Sequence, residues 1–510
     1  MNVRRNDFFP LRMGMLLTAS LMALGSTCAR AMLPGRSSAI HAPHAPLGLL
    51  PISDLLPDPA FMGSGYTTVD FNDAFGKKDV ALRVFPSLDG GYWLAGYNAE
   101  LNIDIAGDMA IAKLNADGSL NNTYFGTGKL RIPSSFFELM DVAMGANQRL
   151  YFAGSTILPT ASDEDVLINC IDSAGNPCSD FTSGTAPGRV LAAFDLGDAG
   201  HRDDVATRII YHDGQLYVIG RTDTGIGASN FAMFVLKLDA TTGQRDAAFG
   251  NVAGAPGLAI RNFDFATNGF DVANDLVYAR GAPDDHLVIV GQIARAAAPD
   301  KDGIVYSIDA DTGLEDGLIL DSVYYDLGTT KEDALTRIIQ RHDGGFVVAG
   351  YSLDVESTYA GAGVMMAAYR PDGSRDLRFG LPGDNGSDLI LFSAFTSQLP
   401  FGLAERAGTR DLILGSNAFN MVTDSIHVQN VAQLGASGIP LHAYSTLDLA
   451  GAGSTPHDTS GSDLILLGDQ VLTAGDRRWT ILPADRDMTV ARYIANDSIF
   501  ADQFGGPQSD

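Results

Sequence analysis

The chain has 510 residues, 45% of them hydrophobic, with 57 glycines and a formal net charge of −27. That length is enough for a sizeable core, and so many glycines suit an all-β protein rich in tight turns. A surface this acidic repels phosphate, which argues against nucleic acid and anionic membrane as partners.

In chain order, residues 1–31 read as an export signal. Arg4, Arg5 and Arg12 form a positive start, Met13 to Gly25 is a short apolar run, and Ala29-Arg30-Ala31 is an A-x-A cleavage site. The run is too short for a transmembrane segment, and no other stretch approaches the ~20 apolar residues that one needs. The expected destination is periplasmic, cell-surface or extracellular after cleavage near Ala31. Residues 32–55 form a Pro-rich linker that holds His41 and His44. Cys28 leaves with the signal. Cys170 and Cys178 then flank a Gly-Asn-Pro turn in an oxidising compartment, and they are expected to form a local disulfide. Two cysteines at this spacing lack the further ligands that a zinc site requires.

From residue 56 to 497 the sequence repeats. One phrase reads "DVALRVFPSLDGGYWLAG" at 79–96, "DDVATRIIYHDGQLYVIG" at 203–220 and "EDALTRIIQRHDGGFVVAG" at 332–350. Weaker copies end at Gly154, Gly291, Gly415 and Gly475, so the terminal glycines of seven units lie 58 to 71 residues apart. A second phrase follows the first: "MAIAKLNADGSLNNTYFG" at 109–126, "FVLKLDATTGQRDAAFG" at 234–250 and "MAAYRPDGSRDLRFG" at 366–380. Each unit parses into four short alternating strands joined by Asp-Gly turns, with no helical periodicity between them. Four strands in about 60 residues, repeated, is the pattern of propeller blades. Phe125, Phe249 and Phe379 are expected to wedge between neighbouring blades, with Gly126, Gly250 and Gly380 permitting a bend.

These paired phrases resemble the bacterial delta-60 repeat family, whose repeats have about this length and resemble β-propeller blades. The resemblance implies a scaffold and carries no shared catalytic motif. Units one, three and five match it best. Unit two departs with Asn147-Gln148 at its first turn, and unit four with Asp284-Asp285-His286. The seventh unit stops at "RDMTVARYIAND" without its fourth strand, whereas "DPAFMGSGYTTVDF" at 58–71 stands alone before the first. The N-terminal strand is therefore expected to complete the last blade and close the ring, which also removes exposed sheet edges.

The candidates for chemistry are few. Asp309, Asp311 and Asp316 in "DADTGLED" alternate as oxygen ligands do in calcium loops, and this is where a bound metal is expected if there is one. A plain Asp-Gly turn explains the same residues. His212, His286 and His342 sit at equivalent first turns of different units and read as solvated turn residues. No H-E-x-x-H, G-x-S-x-G or phosphate-binding glycine loop is present. The tail at 498–510 carries Ile499, Phe500 and Phe504, and resembles short "IF-x-x-x-F" sorting endings of exported Gram-negative proteins. The leading expectation is a monomeric, exported, non-catalytic propeller that binds a protein or glycan ligand. The alternative is a secreted hydrolase or lyase with its site at a propeller face or in the channel.

Overall fold

A computed structural model describes residues 55–495, except for 72–76, 101–106, 158–162, 185, 197–201, 225–229, 264–268, 282–283, 296–299, 326–331, 355–360, 381–385, 391–396, 421–424, 442–444, 448–458 and 479–485. The signal, almost all of the linker and the C-terminal tail lie outside the described residues. Among these residues the fold is all-β, with strands and one 3-10 turn at Ala146–Gln148. No helix is long and apolar enough to cross a membrane.

The strands form seven antiparallel four-stranded units in chain order. Unit one is Lys77–Pro86, Tyr92–Glu100, Asp108–Leu114 and Lys129–Ile132. Unit two is Glu138–Met144, Leu150–Ile157, Glu164–Ile171 and Arg189–Ala192. Unit three is Asp204–His212, Gln215–Asp223, Phe231–Asp239 and Leu258–Arg261. Units four, five and six begin at Val272–Ala279, Glu332–Gln340 and Ser397–Glu405. Unit seven has three strands of its own, Thr459–Leu467, Gln470–Arg478 and Arg486–Ala495. Its fourth edge is filled from the other end of the chain, because Leu55–Pro57 and Tyr66–Val69 both pair antiparallel with Arg486–Ala495. The first strands of successive units touch one another, and that of unit seven touches that of unit one, so the contacts run through a complete cycle.

The core is divided accordingly. Each neighbouring pair of units shares its own layer of buried side chains, from Val80, Trp93 and Phe152 between units one and two to Phe401, Leu464 and Tyr493 between six and seven. Such a layered core depends on sheet faces staying close, and the repeated phrases serve that need. The Asp that opens the first phrase pins the preceding connector. Asp79, Asp204, Asp271 and Asp333 accept the backbone N–H of Phe71, Phe194, Phe263 and Tyr325. The glycine that ends the phrase makes room for a bulge in the first strand. A Cβ on Gly96 would lie 1.9 Å from the Val80 carbonyl oxygen, and one on Gly350 1.8 Å from that of Ala334.

The Phe-Gly ending acts as expected at Phe249 and Phe379, which are buried against the turn glycines Gly313 and Gly438 of the next unit. Burying such a ring contributes about 1.5–3 kcal/mol. Unit two, which lacks the ending in sequence, uses Phe181 against Gly243. Unit one meets the expectation with a shifted turn. Its turn bonds place Tyr124 where Phe61 and Phe249 stand, since the N–H of each bonds the carbonyl three residues earlier (Asn121, Asp58 and Asp246). Phe125, one residue later in a left-handed conformation (φ 50°), is the ring that lies against Gly175, the turn glycine of unit two, although it stays 47% exposed.

Candidate functional site

The connectors between units gather at one end of the sheets and the first hairpin turns at the other. Charged side chains occupy three levels between these ends.

At mid-level, the residue after each first-strand bulge comes from every unit in turn: Arg83, Asp141, Arg208, Asp275, Arg337, Gly402 and Asp463. The charges alternate and interlock. Arg83 Nε lies 2.5 Å from Asp141 and its Nη1 2.8 Å from Asp463, while Arg208 Nε lies 2.7 Å from Asp275. Each carboxylate also accepts a backbone N–H of the following unit: Asp463 from Val84, Asp141 from Ile209 and Asp275 from Ile338. Alternation cannot close around an odd ring. Unit six breaks it with Gly402, where a Cβ would lie 2.3 Å from that of Leu464. Arg337 there donates to the Phe401 carbonyl instead (2.6 Å). Burial alone would lower the proton affinity of Arg83, but the Asp141 and Asp463 charges overcome it and raise it. Burial pushes Asp141 up, and Asp275 up to about 6, against the pull of the arginines. The collar locks the units together through these pairs, although Arg208 keeps a buried Nη1 without a hydrogen-bond partner.

The hairpin end is a set of clamps. Gln148, in an unusual left-handed conformation, accepts hydrogen bonds from Ser87, Leu88 and Trp93 of unit one, which explains why unit two lacks an Asp-Gly turn. The histidines are less solvated than expected. His212 stacks on Tyr278 (3.6 Å between centroids), His286 bonds Asp316 (2.8 Å) and His342 bonds buried Glu405 (2.7 Å). They serve separate partners. Burial opposes ionisation of Glu405, yet the His342 N–H, His342 ring and Arg341 together hold it below the usual range.

The carboxylates proposed for calcium do not form a cradle. Asp309 Oδ1 accepts the N–H of Asp311 and both the N–H and hydroxyl of Thr312, as turn residues do. Asp316 is held by His286, Ser307 and the Leu318 N–H, and Asp311 is exposed. Among the described residues, the one group of three such ligands within 4.8 Å of one another is Asp70, Asp79 and Asp487, at the seam where unit seven meets unit one. Asp79 there already accepts from Phe71 and Asn98. Cys170 and Cys178 form a disulfide, with Cα atoms 5.4 Å apart.

The connector end differs in kind. Glu138 and Ser155 are cross-strand partners in unit two, and Glu164 enters on the next strand, diagonal to Ser155. Opposite and diagonal positions share a face, so these side chains point together toward unit three. The Ser155 hydroxyl donates to Glu164 Oε2 (2.6 Å), and the Glu164 N–H donates to Asp203 Oδ1 of the unit-three connector (3.0 Å). Burial raises the proton affinity of Glu164 and the charges of Glu138 and Asp203 raise it further, while Ser155 and Arg221 partly offset this. One carboxyl inclined to keep its proton thus stands beside two others, an arrangement suited to acid–base work. Sequence reasoning missed these residues. The signal was there as departures from the repeat: Glu138 where units one, three, four and five carry Val80, Val205, Val272 and Ala334, "DED" at 163–165, and Arg221 directly after a repeat glycine.

No family model matches the chain, and no curated protein does. Solved structures do. The chain is similar to the polysaccharide lyase Uly1, with 10% identity over 84% of this chain and 92% of that one (TM-score 0.44). It is also similar to an α-L-arabinofuranosidase of Fusarium graminearum, with 8% identity over 86% and 99% (TM-score 0.38), and to a protein of unknown function from Dyadobacter fermentans, with 10% identity over 84% and 98% (TM-score 0.39). At this distance no residue role or substrate passes to this chain. The activities named among these structures are those of a lyase and a glycosidase, and they stand against the expectation of a non-catalytic scaffold.

Proposed function

We propose that the chain is an exported glycan-cleaving enzyme, built as a closed seven-bladed propeller of the delta-60 repeat type, with its site at the connector end between units two and three. The arrangement of Glu164 carries the reading. It is bonded to Ser155, crowded by Glu138 and Asp203, and pushed toward the protonated form at the connector end. Cleavage of a glycosidic bond needs one carboxylic acid to protonate the leaving oxygen and an ionised partner nearby. Glu164 takes the first role, and Glu138 or Asp203 the second. The cycle of contacts and the N-terminal strands on unit seven support the closed ring, and the disulfide is compatible with export.

The test is release of reducing or unsaturated ends from a panel of polysaccharides. Glu164→Gln should lower the rate by about 10²–10⁴-fold. Asp311→Asn, in the exposed turn of unit four, should leave it unchanged. Wild-type rates in Glu164→Gln on every cleaved polysaccharide would remove the assignment.

A further inference from the structure

We infer that Arg221 is the receptor for an acidic group on the glycan, a carboxylate or a sulfate ester, in the cleft between units three and four. The inference rests on the reading of the connector end as the glycan site. Arg221 follows the repeat glycine Gly220, a position whose side chain faces the next unit. Equivalent residues find partners within the protein: Ser155 bonds Glu164, Gln292 the Asp333 carbonyl (3.2 Å), and Asp476 pairs with Arg486 (2.7 Å). Arg221 has no hydrogen-bond or ion-pair partner among the described residues, and its Nε is buried. Its guanidinium lies instead 4.9 Å from the ring centre of Phe231 and 5.6 Å from that of Phe270.

Leaving a half-buried guanidinium without an acceptor is costly unless something else accepts from it. The two phenyl rings hold Arg221 in place but accept nothing from its N–H fork, the geometry that takes a carboxylate or sulfate through two parallel bonds. Two further cations stand in the surroundings, each with a carboxylate of its own. Lys301, 5.2 Å from the Phe270 ring centre, pairs with Glu332 (3.5 Å), and Arg202 pairs with Asp223 (3.7 Å) while its Nε is buried without an acceptor. A chain of net charge −27 repels anionic ligands at long range. The idle Arg221 counters that repulsion locally, between units three and four, and its charge is also felt at Glu164 on the other side of unit three.

Titration calorimetry on the Glu164→Gln chain reads binding without turnover. The probes are trigalacturonate, its neutral methyl ester, and a sulfated galactan trisaccharide that separates sulfate from carboxylate. We expect at least one charged probe to bind tenfold or more tighter than the ester. Adding Arg221→Gln should abolish that preference and leave ester binding unchanged. Arg221→Lys, which keeps the charge and loses the fork, should retain part of the preference and serves as the readout if Arg221→Gln does not fold. Equal affinity for charged and neutral probes, a preference that survives Arg221→Gln, or no saturable binding of either charged probe would overturn the inference. If the charged probe binds through Arg221 while Glu164→Gln cleaves at the wild-type rate, the catalytic assignment falls and the binding assignment stands.

Discussion

The mid-level collar and the connector-end cleft use the same residue types to opposite ends. In the collar, Asp141, Asp275 and Asp463 each meet an arginine and a backbone N–H, so these carboxylates are answered within the protein even though Arg208 keeps a buried Nη1 without a partner. At the connector end, Glu164 on one side of unit three meets a serine and other acids, while Arg221 on the other side meets only aromatic rings. Satisfied charges fix a structure, and unsatisfied ones are held ready for something that is not part of it. The difference marks the cleft as the functional end, although the collar contains more charge.

Breaking the collar should have the largest effect on stability. Asp141→Ala leaves Arg83 short of one carboxylate and removes the acceptor for Ile209 N–H, and it should cost about 3–5 kcal/mol in urea unfolding. A loss below about 1 kcal/mol would mean that the collar does not lock the units. Next is Asp204, at the connector end of unit three, whose carboxyl accepts from Thr222 and Phe194 and feels the charge of Arg245. Burial first, with Asp165 and Asp195 adding to it, pushes its pKa up to about 7. The folded form therefore holds this proton more tightly than the unfolded chain. Stability from this group is present at acid pH and is lost as pH rises from about 4 through 7, by on the order of a few kcal/mol. Asp204→Asn should flatten that dependence when unfolding midpoints at pH 5 and 7.5 are compared; an unchanged dependence would place the titration elsewhere. The smallest shift belongs to Glu164→Gln, which should change stability by no more than about 1 kcal/mol even as it removes activity.

The architecture was far more legible in the sequence than the site. A repeat writes its packing rule many times, so a Gly beside a bulge or a Phe beside a turn glycine is visible even where single copies decay. The missing strand of unit seven could be matched to residues 58–71 for the same reason. Phe125 shows the limit: its ring meets the next unit's turn glycine, Gly175, as the repeat implies, but an extra aromatic at 124 shifts the turn by one residue and leaves Phe125 half exposed. The cleft was illegible because its members come from separate strands and connectors, and each is a single exception to the repeat. Asp309 and Asp316 misled for the converse reason, as their spacing resembles a cation loop while their oxygens serve a turn, a serine and a histidine.

The most direct test of the connector end as the functional face is hydrogen–deuterium exchange on the Glu164→Gln chain with and without saturating trigalacturonate. The account predicts slowed exchange in Leu150–Ile157, Glu164–Ile171 and Gln215–Asp223, with the hairpin turns around His212, His286 and His342 unaffected. Protection confined to those hairpin turns, or no protection at any strand of units two to four, would contradict it.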